Sequence, residues 1–181
     1  MKLRVAVLFG GQSVEHKLSR MSADSVLRNL DRKKYDIYRI GITREGKWIE
    51  YNGSIDKIEN GMWEHDECYK NPDGYRLIFN REVDVVFPVL HGFCGEDGAI
   101  QGLCKLVNMP CVDCSVLNFI DFLVDNETSE IYLNKLNTIP GFTKINSYPE
   151  MWERSGKPYT ELLDDLINLA VEKNDRRILN V

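Results

Sequence analysis

Five positions in this 181-residue sequence could do chemistry if a fold gathered them: Glu15, His91, Asp121, Asn137 and Gly141. Glu15 follows Gly10-Gly11-Gln12-Ser13-Val14, a paired-glycine turn leaving an apolar run. That places a carboxylate at the mouth of a strand-turn-helix crevice, where open α/β sheets take their ligands. It can pair there with the ammonium of a small substrate. It can equally complement the dipole of the following helix, and spacing alone does not choose between the two. His91 leaves a buried run, Asp84 to Leu90, into Gly92-Phe93-Cys94-Gly95, which aims it into the same crevice, with glycine allowing a close backbone approach. The plainer role for such a histidine is a structural hydrogen bond. Asp121 and, on the next strand, Asn137 would set two oxygen ligands side by side, a start for Mg²⁺ held with nucleotide phosphates, or else polar surface. Residues 138–143, with Gly141 among them, offer backbone N–H groups to an anionic centre.

The elements needed to position these residues can be read from the chain. Arg4 to Gly10 is continuously apolar and predicts a buried strand, with Ser13 as a helix cap and Leu18, Met21, Val26, Leu27 and Leu30 as the buried helix face. Asp31 to Lys34 ends that helix in polar residues, and Tyr35 to Ile42 is a second strand, opening a βαβ wrap. Trp48 begins a short strand, and 52–75 is polar and hard to assign apart from the turn Asn71-Pro72-Asp73-Gly74. Val83 to Leu90 is a strand, Gly98 to Val107 a helix, and Met109 to Val112 a short returning strand. The order β-α-β-β-α-β suits a small parallel α/β layer. From Asn118 the character changes to two antiparallel strands joined by Asn126-Glu127-Thr128-Ser129, a Pro-Gly loop, and an amphipathic helix from Tyr159 to Val171 with Thr160 as its cap. Asp175-Arg176-Arg177 reads as a frayed tail, and the helix before it is the best candidate to cover the two strands, with its docking site left open by the sequence.

Composition sets the bounds. Hydrophobic content of 43% with 28% charged residues is that of a soluble globular chain, with no apolar run near the roughly 20 residues of a membrane span. A net charge of −5 with dispersed basic residues argues against nucleic acid as a partner. The first residues lack a small-residue cleavage site, and five cysteines are an odd number, so a reducing cytoplasm is the expected location. Cys111-Val112-Asp113-Cys114 has redox or metal spacing but no second pair to complete four ligands, and buried thiols are favoured over zinc.

Together VAVLFGGQSVEH, IGITREGKW, DVVFPVLHG with GEDGAIQGL, then DFLVD, YLN, NTIPGF and the YPEMW to ELLDDLINLA ending strongly resemble the D-alanine-D-alanine ligase family. The resemblance runs over nearly the whole chain. It implies an α/β fold with a Rossmann-like (pre-ATP-grasp) parallel sheet at 1–117 and a truncated remnant of the ATP-grasp domain at 118–181. It also implies use of ATP and Mg²⁺ to phosphorylate one D-alanine before a second attacks, hence a place in peptidoglycan synthesis. Glu15 would receive the ammonium of the first D-alanine, with His91 beside its carboxylate. Asp121 and Asn137 would be the metal ligands, Gly141 would face the cofactor, and the 1–117 unit would serve as a homodimer surface.

The resemblance also exposes a gap. The family's long central segment, which carries the phosphate-holding lysines, the adenine pocket and a lid, has no counterpart between Leu117 and Asn118. Phe119 stands where the family has a phosphoryl-stabilising arginine, and Lys135 where it has a metal-bridging carboxylate. The sequence therefore predicts an internally deleted ligase, inactive alone. The alternative is a non-catalytic module that binds a D-alanine-like amino acid or associates with an intact ligase. An enzyme completed by a second chain and a partly folded remnant are the other readings.

Overall fold

A computed structural model describes residues 1–66, 69–113, 119–137, 141–143 and 147–179. Strand β1, Leu3–Gly10, is followed by helix α1, His16–Asn29, and strand β2, Tyr35–Ile42, which lies parallel to β1 from Leu3 opposite Tyr35 to Gly10 opposite Ile42. Strand β3, Trp48–Tyr51, turns back antiparallel to β2. The polar stretch that sequence left unassigned holds helix α2, Ile55–Asn60, a 3-10 turn at Met62–His65 and strand β4, Tyr69–Asn71, antiparallel to β3. Ser54 caps α2 by accepting the Asp56 N–H. Helix α3, Arg76–Phe79, leads to strand β5, Val85–Pro88, parallel to β1 on its other side, and helix α4, Ala99–Leu106, follows. The sheet order is β4-β3-β2-β1-β5. The returning strand expected at 109–112 is only a single parallel bridge between Val86 and Cys111, because pairing stops after one bonded position.

Alternation along the central strands divides the interior in two. Val5, Val7 and Phe9 of β1, with Val85 and Phe87 of β5, face one core; Ala6, Leu8 and Val86 face the other. The second core is closed by Leu77 and Ile78 of α3 and by Ile100 and Cys104 of α4. The first takes Ala23, Val26 and Leu27 of α1, and it also takes residues from far along the chain. These come from Phe142, from helix α5, Ser147–Arg154, through Tyr148, and from helix α6, Tyr159–Leu179, through Leu162, Leu163, Leu166, Ile167 and Ala170.

The α6 periodicity was legible, and the structure supplies the docking surface that the sequence left open. The helix lies on the five-stranded sheet beside α1 and against β5. Asp164, on its inner face, accepts from Lys34 Nζ at 2.5 Å and from the Tyr35 hydroxyl at 2.7 Å. Burial and that carboxylate push the Tyr35 phenol up from its ordinary pKa. Lys173 Nζ meets Asp113 at 3.0 Å, so the helix continues through the segment expected to fray, and Thr160 falls inside it. Strands β6, Phe119–Val124, and β7, Ile131–Asn137, form a separate antiparallel two-stranded sheet. Asp125 closes their turn by accepting from the N–H groups of Glu127 and Thr128.

Candidate functional site

Strand β1 ends at Gly10 and Gly11, with φ of +87° and +97°. A Cβ on Gly10 would lie 2.3 Å from the Ile42 carbonyl oxygen, so the turn admits no side chain there. The Gly10 N–H donates to Ser19 Oγ at 2.9 Å, and the Ser19 hydroxyl donates to the Val89 carbonyl at 2.7 Å, joining the ends of β1 and β5 through one side chain. His16 places Nδ1 2.7 Å from the Gly11 carbonyl and Nε2 3.1 Å from Glu64 Oε1.

Glu15 is the residue at the α1 N-cap and makes no side-chain cap bond. Ser13, expected to cap the helix, instead accepts the Glu15 N–H at 3.1 Å, because the turn runs two residues further before the helix starts. The Glu15 carboxylate crosses to the loop after β5. A Cβ at Gly92 would lie 2.7 Å from Glu15 Oε2 and 2.5 Å from Ser13 Oγ, and Gly92 has φ of +67°. Glycine is thus required by conformation and by space, and the two loops pack against each other. Val14 and Phe93, one from each loop, are exposed.

His91, next to Gly92, is 3% exposed, with Nε2 2.9 Å from Ser22 Oγ and Nδ1 3.5 Å from Glu96 Oε1. The following loop is tightly wound, with the N–H groups of Gly95 and Glu96 both bonded to the Gly92 carbonyl. Asp97 accepts from the N–H of Cys94 and of Ala99, and those donors hold its carboxyl below the usual carboxylate range.

Glu15 and the His91-Gly92 pair are therefore brought together. Asp121 and Asn137 belong to the separate hairpin, where the register sets Asp121 opposite Lys135 and Phe119 opposite Asn137. Gly141 is half-buried beside Phe142, whose ring meets Phe87 edge-on at 5.5 Å; residues 138–140 lie outside the described residues. Cys94 and Cys104 are free thiols, and Cys114, the other half of the CxxC spacing with Cys111, lies outside the described residues.

The buried face of early α1 was misjudged from sequence. Leu18 and Met21 are only half-buried, and the inner positions are His16, Ser19 and Ser22. The signal was present as small polar residues three apart, but an apolar stripe was the stronger pattern at that spacing.

Models of the D-ala D-ala ligase N-terminus and of the D-ala D-ala ligase C-terminus match residues 4–114 and 97–168. The chain belongs to the D-alanine–D-alanine ligase family. A D-alanine–D-alanine ligase of Clostridium novyi (strain NT) is 33% identical over 343 residues, an alignment covering 97% of this chain and 100% of the relative. That of Acetivibrio thermocellus is 45% identical over 140 residues, covering 64% of this chain and 37% of the relative. The fold is that of VanG D-Ala:D-Ser ligase from Enterococcus faecalis, with a TM-score of 0.79 at 21% identity over 94% of this chain and 100% of that one. The ligase from Coxiella burnetii gives 0.76, also at 21% identity, over 97% of each chain. The Clostridium novyi alignment spans 343 residues and this chain has 181, so both ends of the relative align while a long stretch of it faces no residue here. Among the described residues no helix is long and apolar enough to cross a membrane.

Proposed function

We propose that this ligase-family chain retains the family's amino-acid crevice and does not complete the ligase reaction alone. In that reaction ATP and Mg²⁺ phosphorylate the carboxylate of one D-alanine, and the amine of a second then displaces the phosphate to form the peptide bond. The observation that carries the reading is the placement of Glu15. Its carboxylate makes no cap bond and packs directly against Gly92, where any side chain would displace it. A carboxylate in that position suits an ammonium group. The buried His91 and the tightly wound loop after it form the wall against which the rest of a D-alanine or a similar small D-amino acid would rest.

The metal end does not fit. Phosphoryl transfer is almost wholly positioning and charge stabilisation. Here the register sets Lys135 directly across from Asp121, and residues opposed on paired strands are neighbours about 5 Å apart. Replacing a bridging carboxylate by an ammonium changes the local charge by about two units. Each unit is worth about 4 kcal/mol at 4 Å and an effective dielectric near 20. No Mg²⁺ or ATP step is assigned to these residues.

Two measurements on the purified chain test the reading: D-alanine-dependent phosphate release from ATP and Mg²⁺, and NMR titration with D-alanine, each with Glu15→Gln beside wild type. The expected result is no release and saturable shifts around Gly92 that Glu15→Gln removes. Release that depends on Glu15 would overturn the inactive assignment, and a wild-type chain without saturable shifts would overturn the crevice assignment.

A further inference from the structure

The first turns of α1 bury a row of polar side chains where an amphipathic helix ordinarily buries apolar ones. His16, Ser19 and Ser22 are 2%, 0% and 0% exposed, and their spacing of three sets them along one side of the helix. A buried hydroxyl or imidazole is unfavourable unless hydrogen-bonded. All three are bonded, and each to a different part of the crevice wall. His16 holds the Gly11 carbonyl, Ser19 joins Gly10 to Val89, and Ser22 holds Nε2 of His91.

We propose that His16, Ser19 and Ser22 are positioning residues that fix the separation of Glu15 from the His91-Gly92 loop, and that this separation gives the crevice its preference for one hand of a small amino acid. The inference rests on the crevice reading above. Ser19 sets the gap between two strand ends with one oxygen atom, so the turn carrying Glu15 and the strand carrying His91 move together. A carbonyl only accepts, so Nδ1 of His16 carries a proton and donates it to Gly11, holding the turn from which Glu15 projects. With no cap bond of its own, the Glu15 side chain takes its direction from that turn. Ser22, on one side of the His91 ring, and Glu96, on the other, prevent the ring from rotating. An amino acid bonded at its ammonium and its carboxylate is distinguished from its mirror image only by where its methyl and hydrogen then fall. Discrimination between hands is therefore the property most sensitive to the spacing of the two walls.

The full isotope-labelled chain is titrated with D-alanine and with L-alanine by NMR, as wild type and as Glu15→Gln, Ser19→Ala, Ser22→Ala, His16→Asn and His16→Gln. Asparagine keeps a donor near the place of Nδ1, whereas glutamine reaches instead toward Glu64. Ser19→Ala and Ser22→Ala are expected to keep the wild-type spectrum away from the crevice, to bind D-alanine about tenfold more weakly, and to lose most of the preference over L-alanine. His16→Asn should stay within about twofold of wild type, and His16→Gln should weaken about as much as the serine variants. Ser22→Ala leaves the strand ends bonded, so it decides the matter even where Ser19→Ala does not fold. If both serine variants keep wild-type affinity and preference while Glu15→Gln has lost binding, the positioning role is overturned and the crevice stands. If wild type does not bind D-alanine, both fall together.

Discussion

The two sheets of this molecule contain similar residues in opposite circumstances. In the five-stranded sheet, Val5 to Phe9 of β1 and Val85 to Phe87 of β5 are wholly buried, covered on one face by α1 and α6 and on the other by α3 and α4. In the hairpin, Leu123, Val124, Ile131, Tyr132 and Leu133 are each more than half exposed, and among the described residues β6 pairs only with β7. A two-stranded sheet is marginal in water by itself. Strand-forming residues are thus insufficient; what stabilises a strand is the layer placed over it, and among the described residues only the five-stranded sheet is covered on both faces.

The strongest test of that contrast is amide hydrogen exchange. Amides of β1 and β5 are expected to exchange only through global opening and those of β6 and β7 through local opening, a difference in protection of about a thousandfold or more. Equal protection would show that something covers the hairpin. Next in size is Phe87→Ala. Phe87 is fully buried and packs edge-on against Phe142, so the loss should be about 3–5 kcal/mol in urea unfolding, with hairpin exchange unchanged.

A smaller effect belongs to the rim of the sheet. Asp84 accepts from the Arg4 backbone N–H, from Nε and from an Nη at 2.6 Å, and the guanidinium holds its carboxyl below the usual carboxylate range. Its folded pKa is thus below the unfolded one. The stabilisation is complete above about pH 4 and is lost as pH falls through the folded value. Asp84→Asn should cost about 1 kcal/mol at pH 7, given partial solvent screening, and nothing once wild-type Asp84 is itself protonated. Smallest of all, Leu133→Thr should change stability by less than about 0.5 kcal/mol, since its side chain is 64% exposed. A larger loss would mean that the exposed face is packed in solution.

Much of the sheet was legible because its strands are short apolar runs bounded by glycine and polar turns, as Arg4 to Gly10 and Val83 to Leu90 show. The stretch 52–75 was not, since α2, the 3-10 turn and β4 are short and the turn is anchored by a tertiary contact, Trp63 against Phe9 at 5.0 Å. Periodicity marked the inward residues of α6 but could not say which surface they meet. That choice depends on Asp164 reaching Lys34 and Tyr35, a pairing with no local signature. The meeting of the Glu15 and His91-Gly92 loops was legible from their glycine turns. Glu64 and the serines of α1 were not, because each acts through a partner distant in sequence.

The bond from Tyr35 to Asp164 spans 129 residues of chain. The face of the first strands toward α1 cannot be closed until α6 has been synthesised, and contacts between distant segments slow folding through the entropy of closing the intervening loop. During that interval Val5, Val7, Phe9 and Phe87 form an apolar surface to which α1 supplies cover, with the α6 part of that cover still missing. A nascent chain stopped before Tyr159 would present that surface to chaperones and proteases. Helix α6 therefore sets the point in synthesis at which this core can close.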